Sequence, residues 1–311
     1  MMNKFALTLG VAALALSLPA HAAEPESCQK VRLAEPGWND LTFTSGVMQT
    51  ILTALGYEAD SKLLSVDIIY QGLKNKDLDV FMGYWDPAMV TYYEAYKADG
   101  SVETVHQNLE GAKYTFAVPQ YVHDAGVHDI ADLAKFADKF ERKMFGIEPG
   151  SNQLMFDIIK DPKFNLGGWE VVESSEQGML TQVDKATRKQ DWIVFQGWAP
   201  HPMNNDFPLA YLSGGDAYYG ADLGAATVHT QVRKGYMQEC PNVAALLNNV
   251  TFDIALESEG MGYLIKDNLS PTEAAEKALK VNPGHLEKWL AGVTTTDGGD
   301  GLAAVKGSLG L

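Results

Sequence analysis

Three tryptophans stand where an apolar run gives way to a loop: Trp38 after VRLAEPG, Trp85 after DVFMGY and Trp198 after WIVFQG. The last two share a frame, VFMGYWDP from Val80 to Pro87 and VFQGWAP from Val194 to Pro200. A single tryptophan at a strand end is ordinarily a half-buried packing residue, but packing gives no reason for three equivalent positions. Tyr114, in GAKYTFAVP, adds a fourth ring on an extended segment. Aromatic faces carry partial negative charge. Several together suit a compact, weakly hydrated cation such as trimethylammonium, each ring contributing roughly 0.5 to 2 kcal/mol. A quaternary nitrogen has no hydrogen to donate, so rings must recognise it.

Polar residues accompany the rings. Asp40, two residues after Trp38, either caps the helix that begins there or faces a ligand, offsetting its charge or accepting a hydrogen bond from its hydroxyl. In EPGSNQ, Ser151 and Asn152 open another helix, where capping is the plain reading and contact with a ligand hydroxyl or carboxylate the functional one. A hydroxyl tail suits Asp40 better than a carboxylate tail. No GxSxG, HExxH or phosphate-cradling glycine loop is present, and the histidines lack ligand spacing, so no catalytic residue, cofactor or metal is expected. His201, in APHPMN, is the histidine nearest these rings, and an isolated loop histidine is ordinarily structural.

Such rings need rigid elements that end at one cleft. Strand-like runs alternate with helical periods: KVRLAEP, then a helix with Phe43, Val47, Ile51 and Leu55 in phase, then EADSKLL, SVDIIYQGLKNK, DLDVFMGYW, PAMVTYYEAYKADG and SVETVHQN. A second series runs through a helical DIADLAKFADKF, then KMFGIEP, SNQLMFDIIKD, WEVVESS, SSEQGMLTQVDKATRKQ and DWIVFQGW. The pattern predicts an α/β chain with a parallel sheet covered on both faces. Ligands of such sheets bind beyond the carboxyl ends of the strands. The extended segments 114–122 and 225–234 read as crossovers between two lobes, a discontinuous one of residues 24–113 plus 223–311 and a continuous one of residues 114–222. The alternative is a single rigid α/β domain. In each repeated frame the glycine is expected to let the chain turn, and the glycine-rich tail from Thr294 to be loosely held.

The 311 residues carry 24 Lys and Arg against 40 Asp and Glu, a net charge of -16 that repels nucleic acid and anionic membranes and draws small cations. The N-terminus MMNKFALTLGVAALALSLPAHAA has one Lys, an apolar run and an Ala20-His21-Ala22 box, which is the pattern of a secretory signal peptide cut after Ala22 or Ala23. No small-residue box precedes Cys28, so lipidation is not expected, and no later segment is apolar enough to insert in a membrane. A free, monomeric protein of the periplasm is the simplest reading. Two cysteines in an exported chain are most economically one disulfide, Cys28 to Cys240, which brings the start of the chain beside a late segment.

Together EPGWNDL, LDVFMGYWDP, GAKYTFAVP, FGIEPGSN and GWAPHPMN resemble, over essentially the whole mature chain, the choline-binding periplasmic proteins of ABC importers, within the wider group of glycine betaine, carnitine and choline receptors. The resemblance implies a two-lobed type II periplasmic binding fold with the ligand in the inter-lobe cleft. It implies an aromatic box of Trp38, Trp85, Tyr114 and Trp198, with Asp40 and either Ser151 or Asn152 on the choline hydroxyl, and the Cys28–Cys240 disulfide. The expected ligand is choline or a related quaternary ammonium compound such as glycine betaine or carnitine. The expected partner is an inner-membrane ABC permease with its ATPase. Two other classes compete: an exported hydrolase of choline esters, and a sensor that presents bound ligand to a membrane receptor.

Overall fold

The computed structural model describes residues 24–311, and the signal peptide read in residues 1–22 lies outside the described residues. The chain begins with β1 (Lys30–Glu35), α1 (Asn39–Ala54), β2 (Glu58–Leu63), α2 (Val66–Asn75), β3 (Val80–Asp86) and α3 (Val90–Ala98). The long strand β4 (Val102–Pro119) follows, then α4 (Gln120–Asp124), β5 (Lys143–Phe145), α5 (Gln153–Lys160), β6 (Glu170–Val172), α6 (Glu176–Lys189), β7 (Phe195–Ala199) and β8 (Leu209–Tyr211). After β9 (Ala225–Arg233) only helices remain. The helical phase of α1 has its expected consequence: Phe43, Val47, Ile51 and Leu55 are all buried.

Among the described residues nine strands form one sheet, ordered β2-β1-β3-β9-β4-β7-β5-β6, with β8 also on β4. The sheet is not parallel throughout. Each end is: β1 pairs β2 and β3 in parallel, and β5 pairs β6 and β7 in parallel. Between them β9 and β4 run antiparallel to each other, to β3 and to β7. These two strands cross from one lobe to the other, so a single hydrogen-bonded sheet spans both. The separate strand and crossover expected over 101–122 are one strand, because Gly111, at φ 79°, interrupts the pattern locally while pairing with β9 continues on both sides through register shifts. One apolar cluster is built on β1, β3, α1 and the C-terminal helices, and another gathers Phe116, Val118, Ile130, Met144, Ile158 and Phe164. Burial does not simply follow the division into lobes, since the larger apolar cluster also takes in Ile147, Met179, Val183, Phe195, Trp198 and Met203 from the second lobe.

Two cross-links tie the late chain to the first lobe. Cys28 and Cys240 form the disulfide, with Cα atoms 5.5 Å apart and 212 residues between them in sequence. Asp79, just before β3, accepts from Arg32 Nε of β1 at 2.8 Å and from Arg233 Nε of β9 at 2.7 Å. Burial disfavours the Asp79 carboxylate, but hydrogen bonds from the two guanidiniums outweigh it and hold the group below its usual range.

Three local expectations are corrected. Residues 130–136 form a 3-10 helix, shorter than the helical stretch expected across 129–140. The tail is not loose: Thr296 N donates to Leu55 O at 2.9 Å, and a helix over Gly301–Leu309 buries Val305 and Leu309. Asp300 caps that helix by accepting from Ala303 N at 3.0 Å, a local bond that outweighs the glycine content. Finally, Gly83 and Gly197 do not turn the chain, since neither has positive φ. A Cβ at Gly83 would overlap the Leu41 side chain of α1, and one at Gly197 would lie 2.8 Å from the Ala117 Cβ. These glycines let other elements press against the strands that carry Trp85 and Trp198.

Candidate ligand-binding site

β1 ends at Glu35, and the chain turns through Gly37, at φ 93°, to set Trp38 as the N-cap of α1 and Asp40 in its first turn. β3 and β7 carry Trp85 and Trp198 near their carboxyl ends, each followed one residue later by a cis X-Pro bond, Asp86-Pro87 and Ala199-Pro200. β4 places Tyr114 directly opposite Trp198 in the antiparallel register. The rings of Trp85 and Tyr114 lie 6.1 Å apart at 50°. These residues converge on one cavity between the two ends of the sheet. Its walls are Trp38, Asp40, Trp85, Tyr114, Ser151 and Trp198, with Val66, Ala88, Tyr92 and Ile147.

Six of the seven expected positions therefore meet. Asn152 does not line the cavity. Its amide is spent on the turn before α5: Oδ1 accepts from Ile147 N at 2.9 Å, and Nδ2 donates to Ile147 O, Glu148 O and the Glu173 carboxylate. The short PGSN loop turns Ser151 to the cavity instead. Val66, Ala88, Tyr92 and Ile147 carried no signal in the sequence, because an isolated apolar or tyrosine residue looks the same whether it packs against protein or against a ligand.

The electrostatics are one-sided. Asp40 is 2% exposed, and its Oδ1 has no hydrogen-bond partner. It does not cap α1, whose N-cap is Trp38. Burial first, and the negative charge of Glu176 second, push the Asp40 carboxyl up to about 7. A second buried carboxyl, Glu257 of the helix Ile254–Ile265, is pushed well above the usual range by burial and by Asp40. The indole Nε1 of Trp85, 4% exposed as a residue, makes no hydrogen bond of full geometry, but its N–H lies toward Asp40 and favours the ionised carboxylate. Among the described residues no Lys, Arg or His lines the cavity. The site thus presents aromatic faces and an unpaired acid, which together can hold a cation carrying methyl groups.

The two lobes touch around this cavity. Trp38 Nε1 donates to Glu148 Oε1 at 2.7 Å, and the same oxygen accepts from Ser151 Oγ at 2.5 Å. Tyr92 Oη donates to Gly150 O, and Asn39 donates from both its backbone and its side chain to Glu176. His201 lies behind the site rather than in it, with its ring 5.0 Å from that of Trp198 and Nε2 3.0 Å from Glu176 Oε1. Among the described residues no group of three or more His, Cys, Asp or Glu is placed to hold a metal ion, and no helix is long and apolar enough to cross a membrane.

Two lobes on one shared sheet, meeting over a buried aromatic cavity, define a substrate-binding protein of the type II periplasmic class. Residues 29–281 match the family described as the substrate binding domain of the ABC-type glycine betaine transport system, and the chain belongs to that family, as the substrate-binding component of an ABC importer. Among solved structures it is similar to an ABC-transporter choline binding protein in complex with choline, at 53% identity and a TM-score of 0.90, covering 92% of this chain and 100% of that one. Against an ABC-transporter choline binding protein in an unliganded semi-closed conformation, at the same identity and coverage, the TM-score is 0.84. The glycine betaine/carnitine transport binding protein GbuC of Listeria monocytogenes serotype 1/2a (strain 10403S) is 34% identical over 155 residues, which are 49% of this chain and 50% of that protein.

Proposed function

We propose that this protein captures choline in the periplasm, closes over it and delivers it to an inner-membrane ABC permease with its ATPase, without chemically altering it. The observation that carries this reading is the cavity wall of five aromatic residues, Tyr92 besides the four of the expected box, and one carboxyl with an unpaired oxygen, with no basic side chain. A trimethylammonium group fits against Trp38, Trp85, Tyr114 and Trp198, whose faces attract it. Asp40 and Ser151 take the hydroxyl end. Glycine betaine or carnitine would bring a carboxylate toward Asp40 with no cation to meet it, so both are the weaker ligands. The 53% identity to a choline binding protein supports the same choice. Export and removal of the leader place the mature chain in the periplasm as a monomer. Its lobes are residues 24–113 plus 223–311 and residues 114–222, a division supported by the two crossing strands. His201 is taken as a support for Trp198, not as a catalytic base, since its ring lies outside the cavity wall.

Calorimetric titration against choline, acetylcholine, glycine betaine and carnitine tests this. Choline is expected to bind most tightly, with glycine betaine and carnitine weaker by about tenfold or more, the loss for an unpaired buried charge. Tightest binding of glycine betaine would overturn the choice of ligand. Hydrolysis of acetylcholine abolished by His201→Ala would overturn the transport reading.

A further inference from the structure

Glu176 is the first residue of α6 in the second lobe, yet two of the groups it binds belong to the first. Its Oε2 accepts from the backbone N–H of Asn39 at 3.0 Å, and its Oε1 accepts from the Asn39 side-chain amide. Asn39 is the first residue of α1, and its N-cap, Trp38, offers no side-chain cap. The N–H groups of a helix's first turn lack partners within the helix and carry its positive end. Glu176 therefore caps α1 from across the cleft. The third partner is internal to the second lobe: His201 Nε2 stands 3.0 Å from Glu176 Oε1. Met203 N donates to His201 Nδ1 at 2.9 Å, which fixes the remaining proton on Nε2, pointing at Glu176. The same imidazole packs edge-on against Trp198, and both Glu176 and His201 are buried, at 2% and 3% exposure.

Asn39 lies between Trp38 and Asp40, two walls of the cavity, while His201 stands against a third, Trp198. None of Asn39, Glu176 and His201 lines the cavity itself. We infer that Glu176 is the latch of the closed state: it caps α1 in trans only when the lobes are shut, and through Asn39 and His201 it holds Trp38, Asp40 and Trp198 in register around the ligand. This rests on the reading of the site as a choline receptor. Two consequences separate a latch from a residue that merely supports the fold. Its bonds to Asn39 are absent when the lobes part, so it slows release without speeding capture. Asn39, its partner, neither touches the ligand nor carries charge, so removing the Asn39 side chain leaves the ranking of ligands unchanged.

Stopped-flow fluorescence of the site tryptophans with choline reads both rate constants. Wild-type protein that shows no choline binding would reject the ligand reading, and the same rate constants of the same two variants, read with glycine betaine, would then decide the latch. With binding established, Glu176→Gln is expected to raise the dissociation rate by roughly tenfold or more, the scale of hydrogen bonds to a buried carboxylate. The association rate is expected to change less than about twofold, and the choline to glycine betaine affinity ratio to stay as in wild type in Asn39→Ala, which alters no charge. Asn39→Ala, which removes one donor and leaves the Glu176–His201 pair intact, is expected to speed release by severalfold while leaving the thermal midpoint of the ligand-free protein unchanged. It also keeps the test valid if Glu176→Gln fails to fold. Unchanged release in Asn39→Ala, or a slowed association in both variants with release as in wild type, would overturn the latch.

Discussion

Trp85→Ala and Trp198→Ala are each expected to weaken choline binding by about tenfold to a hundredfold in calorimetric titration, because each deletes a face that both attracts the cation and covers its methyl groups. The two rings come from opposite ends of the sheet, on β3 and β7, so neither can substitute for the other. The double variant is expected to lose binding by about the product of the two effects, since the rings touch the ligand from different sides. Phenylalanine at either position keeps a smaller face and should recover part of the loss. Wild-type affinity in both alanine variants would remove the aromatic box from the account.

The second large effect belongs to Asp40. Its side chain is the one carboxyl in the cavity wall among the described residues, and Asp40→Asn is expected to weaken choline by about tenfold while affecting glycine betaine less, so that the preference between them shrinks. The pH behaviour follows from the same carboxyl. With the lobes apart, water reaches Asp40 and its carboxyl has the ordinary value near ~4. Closure without a cation buries it beside Glu176 and raises it to about 7. A complex with a neutral ligand therefore takes up a proton, and its affinity falls as pH rises, by about tenfold per unit between ~4 and ~7, then levels off. A cationic ligand supplies the opposite charge and keeps Asp40 ionised, so choline affinity stays level near neutrality. Asp40→Asn removes the difference between the two profiles. An unchanged choline to glycine betaine ratio in that variant would leave Asp40 with no part in selecting the ligand.

Much of this site was legible because its residues sit at repeated positions. Trp85 and Trp198 announce themselves through a shared frame, Trp38 through an equivalent strand end, and the closed cavity contains all three with Tyr114. The strand and helix alternation was equally plain, since buried strands and amphipathic helices write their periods into the chain. What the sequence concealed depends on contacts distant along the chain. β4 looked like two pieces because Gly111 interrupts it locally, and only pairing with β9 makes it one strand. Asn152 and Ser151 are adjacent, and nothing but the turn geometry of EPGSN decides which of them faces inward. The glycines of the repeated frame serve close packing against Leu41 and Ala117, residues far from them in sequence. Glu176 was invisible for the same reason: its role exists only across the cleft, where it meets Asn39, 137 residues away.

The central claim is that this cavity reads positive charge, and not only shape. The most direct measurement compares choline with 3,3-dimethyl-1-butanol, in which carbon replaces the quaternary nitrogen, titrated into the wild-type protein at about pH 5 and about pH 8. Four aromatic faces and an ionised Asp40 predict that choline binds more tightly by about a hundredfold or more at the higher pH, with the advantage shrinking at the lower pH as the neutral complex gains its proton. Affinities for the two ligands within a few-fold of each other at both pH values would contradict the account.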